Sequence, residues 1–325
     1  QPIVVGSHTL CASASIGICF YPQDGDTRGA LMQSADIAMY HAKKAGKSTY
    51  HFYDAAMMAQ ASARLESERA LREAVELQSF ELHYQPLMDK TGQRALGVEA
   101  LIRWRAANGS LVAPLTFIPL AEEIGLINDI GHWALSRACR TLAEWRAQGL
   151  TGLTMAVNLS AVQLRNPALP QELSQVLQHA GLPGSALTLE ITESVAMEDP
   201  QASIERLDAI RQLGVRLAID DFGTGYSSLA YLKRLPLDYL KLDRAFVEEL
   251  ETDSNDAAIC AATIGMAHNL GLSVVAEGVE TAGQHHYLER LGCDAYQGYL
   301  FSQPLSEAAA LAWLLQHCAQ VPLGA

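Results

Sequence analysis

A chain of 325 residues with 49% hydrophobic content has enough apolar material for a large core, built as one α/β domain or as two smaller ones. Its net charge of −13 excludes a basic face for DNA or other nucleic acid, so an anionic ligand needs help from a cation. No uninterrupted apolar stretch approaches the roughly 18 residues that cross a bilayer, and the chain opens at Gln1 without a basic and apolar leader, as expected for a soluble, cytoplasmic piece of something longer.

The six cysteines (Cys11, Cys19, Cys139, Cys260, Cys293, Cys318) are scattered, with no pair at metal-ligand or redox spacing, as structural thiols are. The first 54 residues predict a small α+β unit. It holds a strand in "TLCASASIGICFYP", an amphipathic helix in "DTRGALMQSADIAMYHAKKAG" and a final strand in "STYHFYD". A helical segment, "AQASARLESERALREAVELQ", leads onward; its charges suit a solvated face, and the domain boundary falls near Ala55. Residues 55–77 are then a linker helix and 78–325 a second domain.

From residue 78, eight β-prone runs follow: "FELHYQPLMD", "RALGVEALIRW", "LTMAVNLS", "LTLEITES", "VRLAIDDFG", "DYLKLD", "LSVVAEGVE" and "DAYQGYLFS". Amphipathic helices separate most of them, including "PQELSQVLQHAG", "PQASIERLDAIRQLG", residues 255–271 and "TAGQHHYLERLG". Several end at a glycine, Gly181, Gly214, Gly271 or Gly292, the residue that best takes a left-handed cap. Alternation at this period predicts a parallel sheet buried on both faces, and eight strands predict closure into a (β/α)8 barrel.

One polar residue stands near the C-terminal end of seven of these runs: Glu99, Asn158, Glu190, Asp220, Lys241, Glu277 and Gln297. In a barrel those ends share one rim, where active sites of this architecture sit. Carboxylates crowded there repel unless a cation neutralises them, and hard oxygen donors suit Mg²⁺ or Mn²⁺. Asp220 and Asp221 are adjacent at the end of a buried strand, which is tolerable where both reach a pair of divalent metals. The glycine-bracketed turn Phe222-Gly223-Thr224-Gly225 after them suits a mobile loop at an active site. His285 and His286 diverge on one helix, as surface or packing residues do. Neither a nucleophile elbow nor a P-loop is present.

The run "EALIRW" at 99–104 resembles the signature of EAL-domain cyclic di-GMP phosphodiesterases, and the likeness covers residues about 60 to 320. In order stand "YQP" at 84–86, "NLS" at 158–160, "LEITES" at 189–194, "DDFGTGYSSLAYL" from 220, "KLD" at 241–243, "EGVE" at 277–280 and "QGYLFSQP" at 297–304. The resemblance implies a modified TIM-like barrel whose first strand is antiparallel, and metal-dependent hydrolysis of cyclic di-GMP to linear pGpG. It implies Glu99, Asn158, Glu190 and Asp220 as ligands of a first metal and Asp221 as ligand of a second. Lys241 and Glu277 would position and deprotonate the attacking water, and Glu193 would anchor the loop after Asp220. Gln85, Leu101, Arg103 and Gln297 would touch the substrate, and inhibition by Ca²⁺ is expected. Independently, Glu99, Leu101 and Arg103 share one strand face at period two, and an arginine there can pair bidentately with a phosphate.

The first 54 residues resemble the closing third of a GGDEF domain, in "SASIGICFYP" and "ADIAMYHAKKAGKSTYHFYD", without the loop that synthesises the dinucleotide. A tandem GGDEF-EAL parent follows, as the cytosolic part of a longer, membrane-anchored or sensor-linked bacterial protein. In the family a helix in the segment from Asp221 to Leu232 contributes to a homodimer, here with apolar Leu229, Tyr231 and Leu232. Two alternatives keep the fold: a catalytically weak cyclic di-GMP receptor, and an enolising barrel with one Mg²⁺ and a lysine base. The adjacent aspartates and the amide ligand Asn158 favour two metals over the second.

Overall fold

The computed structural model describes residues 2–5, 8–11, 13–223 and 229–318, in two compact units divided between Glu73 and Ala74. In the first unit Pro2–Val5 pairs antiparallel with His8–Cys11, and Ile16–Ile18 pairs parallel with Tyr50–Phe52. Helix Arg28–Lys44 connects the parallel pair; Thr27 Oγ1 caps it by accepting from the Ala30 amide at 3.2 Å. The single strand expected across residues 9–22 is therefore two strands with different partners. Apolar patterning marks extended backbone but does not say which neighbour completes the ladder. Helix Ala55–Glu76 follows and crosses the division.

Among the described residues of the second unit, eight strands close a barrel: β1 (Phe80–Asp89), β2 (Ala95–Arg105), β3 (Thr154–Asn158), β4 (Leu187–Thr192), β5 (Arg216–Phe222), β6 (Tyr239–Leu242), β7 (Ser273–Ala276) and β8 (Ala295–Tyr296). From β2 to β8 each strand is parallel to the next. β1 alone is antiparallel to both its neighbours, β2 and β8. The reversal follows from the β1–β2 connection. Only residues 90–94 separate the two strands, too few for a parallel crossover, and Asp89 Oδ1 gathers the amides of Thr91, Gln93 and Arg94 into a tight turn.

The expected helices appear as Leu169–Ala180, Pro200–Arg211, Ser254–Asn269 and Ala282–Arg290, and the four helix-ending glycines all have positive φ. Helices Pro114–Glu123, Ile127–Ala147 and Glu307–His317 join them around the barrel, and the short strands Leu111–Val112 and Leu305–Ser306 extend the sheet. Leu187, Leu189, Ile191, Leu217, Ile219, Leu240 and Leu242 are completely buried. Each contributes about 1.5–3 kcal/mol of burial on the helix-facing side of its strand. The intervening residues of the same strands therefore point into the barrel, and those positions carry the polar groups.

Candidate active site

β4 and β5 show how the strands aim their side chains. Glu190 is paired with Asn158 on one side and Ala218 on the other, so period two places Glu190, Asn158 and Asp220 inside while Ile191 and Ile219 face outward. At their centre stands Lys241, 2% exposed. Its Nζ lies 2.7 Å from Glu190 and from Glu277, 3.3 Å from Asp220 and 3.5 Å from Glu99. Glu99 accepts from Asn158 Nδ2 at 2.6 Å and from Gln297 Nε2 at 2.7 Å. Gln297 also donates to Gln85 Oε1 at 3.1 Å, and Gln85 donates to the Ser302 carbonyl at 3.2 Å.

The electrostatics follow from this crowding. Burial alone would lower the Lys241 pKa, but Glu190, Glu277, Glu99 and Asp220 outweigh it and hold the ammonium well above its usual range. Burial, followed by the Glu99 charge, lifts Glu190 well above the usual carboxylate range. Glu277 is pushed to about 8, by burial and then by Asp220 and Glu99 against the opposing Lys241. Burial likewise acts to raise Glu99, but there Lys241, Gln297 and Asn158 prevail and hold its carboxyl low.

Asp221 reaches the same mouth through a bulge. The β5–β6 register shifts between Ile219 and Phe222, and Asp221 adopts φ +53°, so the chain turns before the pleat can send its side chain outward. Oxygens of Asp220, Asp221 and Glu277 lie within 4.8 Å of one another. Burial, Asp220 and Asp243 together push Asp221 to about 6. Gly223 follows with φ +100°, and a Cβ there would sit 2.7 Å from the Phe246 ring. Its amide donates to Glu193 Oε2 at 2.9 Å, while Glu193 Oε1 is buried without a hydrogen-bond partner. The expected turn continues through Thr224 and Gly225, which lie outside the described residues, as does the side chain of Leu229. Leu232 is buried and Tyr231 is 40% exposed.

Leu101 and Arg103 continue the Glu99 face of β2 and are partly exposed. Arg103 Nη1 donates to the Ile102 carbonyl at 2.9 Å, and burial lowers its pKa against the opposing Tyr299 and Glu99. Two participants were not singled out from sequence: Asp243, which acts on Asp221, and Ser302, which holds Gln85. Asp243 was legible as the last residue of "KLD"; Ser302 acts through its backbone and leaves no signal in residue type.

The EAL domain pattern matches residues 68–304. The chain belongs to this family. The pattern of the diguanylate cyclase GGDEF domain matches residues 1–49. The bifunctional diguanylate cyclase/cyclic di-GMP phosphodiesterase MucR of Pseudomonas aeruginosa is 46% identical over 312 residues, covering 96% of this chain and 46% of that protein. The cyclic di-GMP phosphodiesterase NbdA of the same organism is 42% identical over 309 residues, covering 95% of this chain and 40% of that protein. The chain thus spans less than half the length of these relatives. Among solved structures, the PaMucR phosphodiesterase in complex with c-di-GMP has a TM-score of 0.72 at 45% identity, covering 75% of this chain and 99% of that one.

EAL phosphodiesterases generally depend on divalent metal, and the donor set of this EAL barrel fits one. Glu99, Glu190, Asp220 and Glu277 surround one ammonium, and Asp221 adjoins Asp220 and Glu277: five carboxylates and one ammonium among the described residues, an excess of four negative charges when all are ionised. Asn158 turns its amide nitrogen toward Glu99; serving a metal requires the reverse amide orientation, which a terminal amide torsion permits. No helix among the described residues is long and apolar enough to cross a membrane.

Proposed function

We propose that the barrel hydrolyses cyclic di-GMP to linear pGpG with divalent metal. The observation that carries this reading is the set of four carboxylates around buried Lys241, with Asp221 beside Asp220 and Glu277, at the C-terminal mouth of an EAL barrel. Glu99, Asn158, Glu190 and Asp220 would hold one Mg²⁺ or Mn²⁺, and Asp221 would hold a second. Bound there, the metals supply charge neutralisation at the phosphodiester and lower the pKa of a coordinated water.

The chain's own residues do the rest. Arg103, two strand steps beyond Glu99 on the same face, pairs with a phosphate oxygen of the substrate. Leu101, Gln85 and Gln297 line the approach; Gln297 donates to Gln85 and to Glu99. Glu277 accepts the proton of the attacking water, and Lys241 at 2.7 Å fixes its orientation. The water oxygen bonds to phosphorus as the bond to the 3′ oxygen breaks in line, and the released oxygen takes up a proton from solvent. Glu193 ties down Gly223 and with it the bulge that aims Asp221.

In this reading residues 1–54 are a C-terminal GGDEF-like fragment, 55–77 a linker helix and 78–325 the phosphodiesterase. The protein works in the cytoplasm as a homodimer formed near Tyr231. The test is chromatography of cyclic di-GMP incubated with the chain and Mg²⁺. Metal-dependent pGpG supports the proposal; binding without cleavage points to a receptor, and cleavage that survives exhaustive chelation refutes metal dependence. Ca²⁺, larger and more loosely coordinated, is expected to occupy the site and inhibit.

A further inference from the structure

The lower half of the barrel is hollow. A closed barrel of eight strands is ordinarily filled by layers of bulky branched side chains. Here Ala156, Ala218, Val275 and Ala295 line a cavity of about 310 Å³. Its roof is the underside of the ionic network, where Glu99, Glu190, Lys241 and Gln297 are each at most 6% exposed. Its other end lies at the strand starts, with Arg216 opening β5 and Tyr239 opening β6. That end is open: Gly152 is exposed, and Thr154 and Ala156 are partly exposed although Met155 and Val157 between and beyond them are buried.

Arg216 supplies the ligand chemistry. Its Nη1 donates to the Tyr239 hydroxyl at 2.9 Å, and it forms no ion pair among the described residues. A guanidinium and a hydroxyl at the mouth of an apolar-walled cavity complement a carboxylate carried on a compact apolar body. A cavity of about 150 Å³ already accepts benzene, so the space here suffices for an aromatic or branched acid.

We propose that this cavity is a second ligand site, at the barrel end opposite the candidate active site, for a small organic monoanion. The carboxylate pairs with Arg216 and the apolar body lies between Ala156, Ala218 and Val275.

The probe is 4-fluorobenzoate, followed by its own fluorine resonance in the presence of the full chain. Binding with a Kd on the order of 1 mM or tighter is expected. Arg216→Gln, which removes the head-group partner, and Ala156→Leu, which fills the body's space, should each weaken it roughly tenfold or more. Neutral 4-fluorobenzyl alcohol should bind the parent more weakly by a similar factor. Circular dichroism checks the fold of each variant; should Ala156→Leu not fold, Ala218→Val replaces it. Saturating cyclic di-GMP should leave the probe bound. No binding at millimolar probe, unchanged binding in folded Arg216→Gln, or displacement by cyclic di-GMP would each overturn the proposal. The measurement reads binding alone, so its failure is distinct from failure of the phosphodiesterase reading.

Discussion

Lys241→Met keeps the length and the apolar stem of the side chain and deletes its charge. The ammonium touches Glu190 and Glu277 at 2.7 Å and lies within 3.5 Å of Asp220 and Glu99. Removing one partner of a buried ion pair costs about 3–5 kcal/mol. A carboxyl raised in the folded state contributes stability that is complete below its unfolded value and is lost as pH rises through the folded value. Glu277 and Glu190 are both raised, so the window runs from about pH 5, where Glu277 holds its proton, to about pH 8. Urea unfolding of chelator-treated protein should therefore show Lys241→Met less stable than the parent by about 3–5 kcal/mol near pH 8. Near pH 5 the deficit should be smaller, because Glu277 and Glu190 are protonated there, while Glu99, held low by Lys241, still loses its partner. Equal stability near pH 8, or the same deficit at both pH values, would refute the argument that this lysine is held by charge.

Glu99→Ala should lower cyclic di-GMP turnover by orders of magnitude, several kcal/mol of transition-state stabilisation, while calorimetric substrate binding weakens far less; near-parental rates in saturating Mg²⁺ would remove Glu99 from the ligand set. Divalent metal should expel protons from Glu277, at about 8, and from Asp221, at about 6, so calorimetry in buffers of different ionisation enthalpy should detect more proton release near pH 6 than near pH 9. Gly223→Ala combines a positive φ of +100° with a contact 2.7 Å from Phe246, so stability should fall by about 1–3 kcal/mol and turnover should fall at unchanged substrate affinity. Tyr231→Asp should give a monomer by light scattering with a lower rate per site; a monomer as fast as the parent at every concentration would uncouple association from activity.

The fold was legible because each strand announces itself twice. In "LTLEIT" the leucines and isoleucine at 187, 189 and 191 demand an apolar surface on one side, and the polar residues between them mark the other. Repetition of that unit around glycine-ended helices leaves a closed barrel as the consistent architecture. The direction of β1 was not legible from its own pattern, which suits a parallel or an antiparallel neighbour equally. It entered as a family expectation, and its cause is the Asp89 turn. The split of the first predicted strand was missed for a related reason, since pairing partners are chosen between distant segments. The helix at Ile127–Ala147 was passed over although Ile127, Ile130, Ala134, Leu135, Ala138, Leu142 and Trp145 recur at helical spacing and are buried.

Sequence by itself determined which side chains stand at the strand ends and therefore the chemistry of the rim, because residue type and period two are both written in the chain. Only the tertiary structure decided how those groups meet. The contact of Lys241 with carboxylates from four strands, the bulge that brings Asp221 beside Asp220, and the void beneath them depend on strand register and on the sizes of residues far apart in sequence. Each alanine at 156, 218 and 295 is unremarkable in its own strand; barrel closure, which sets them around one axis, turns three small side chains into a cavity.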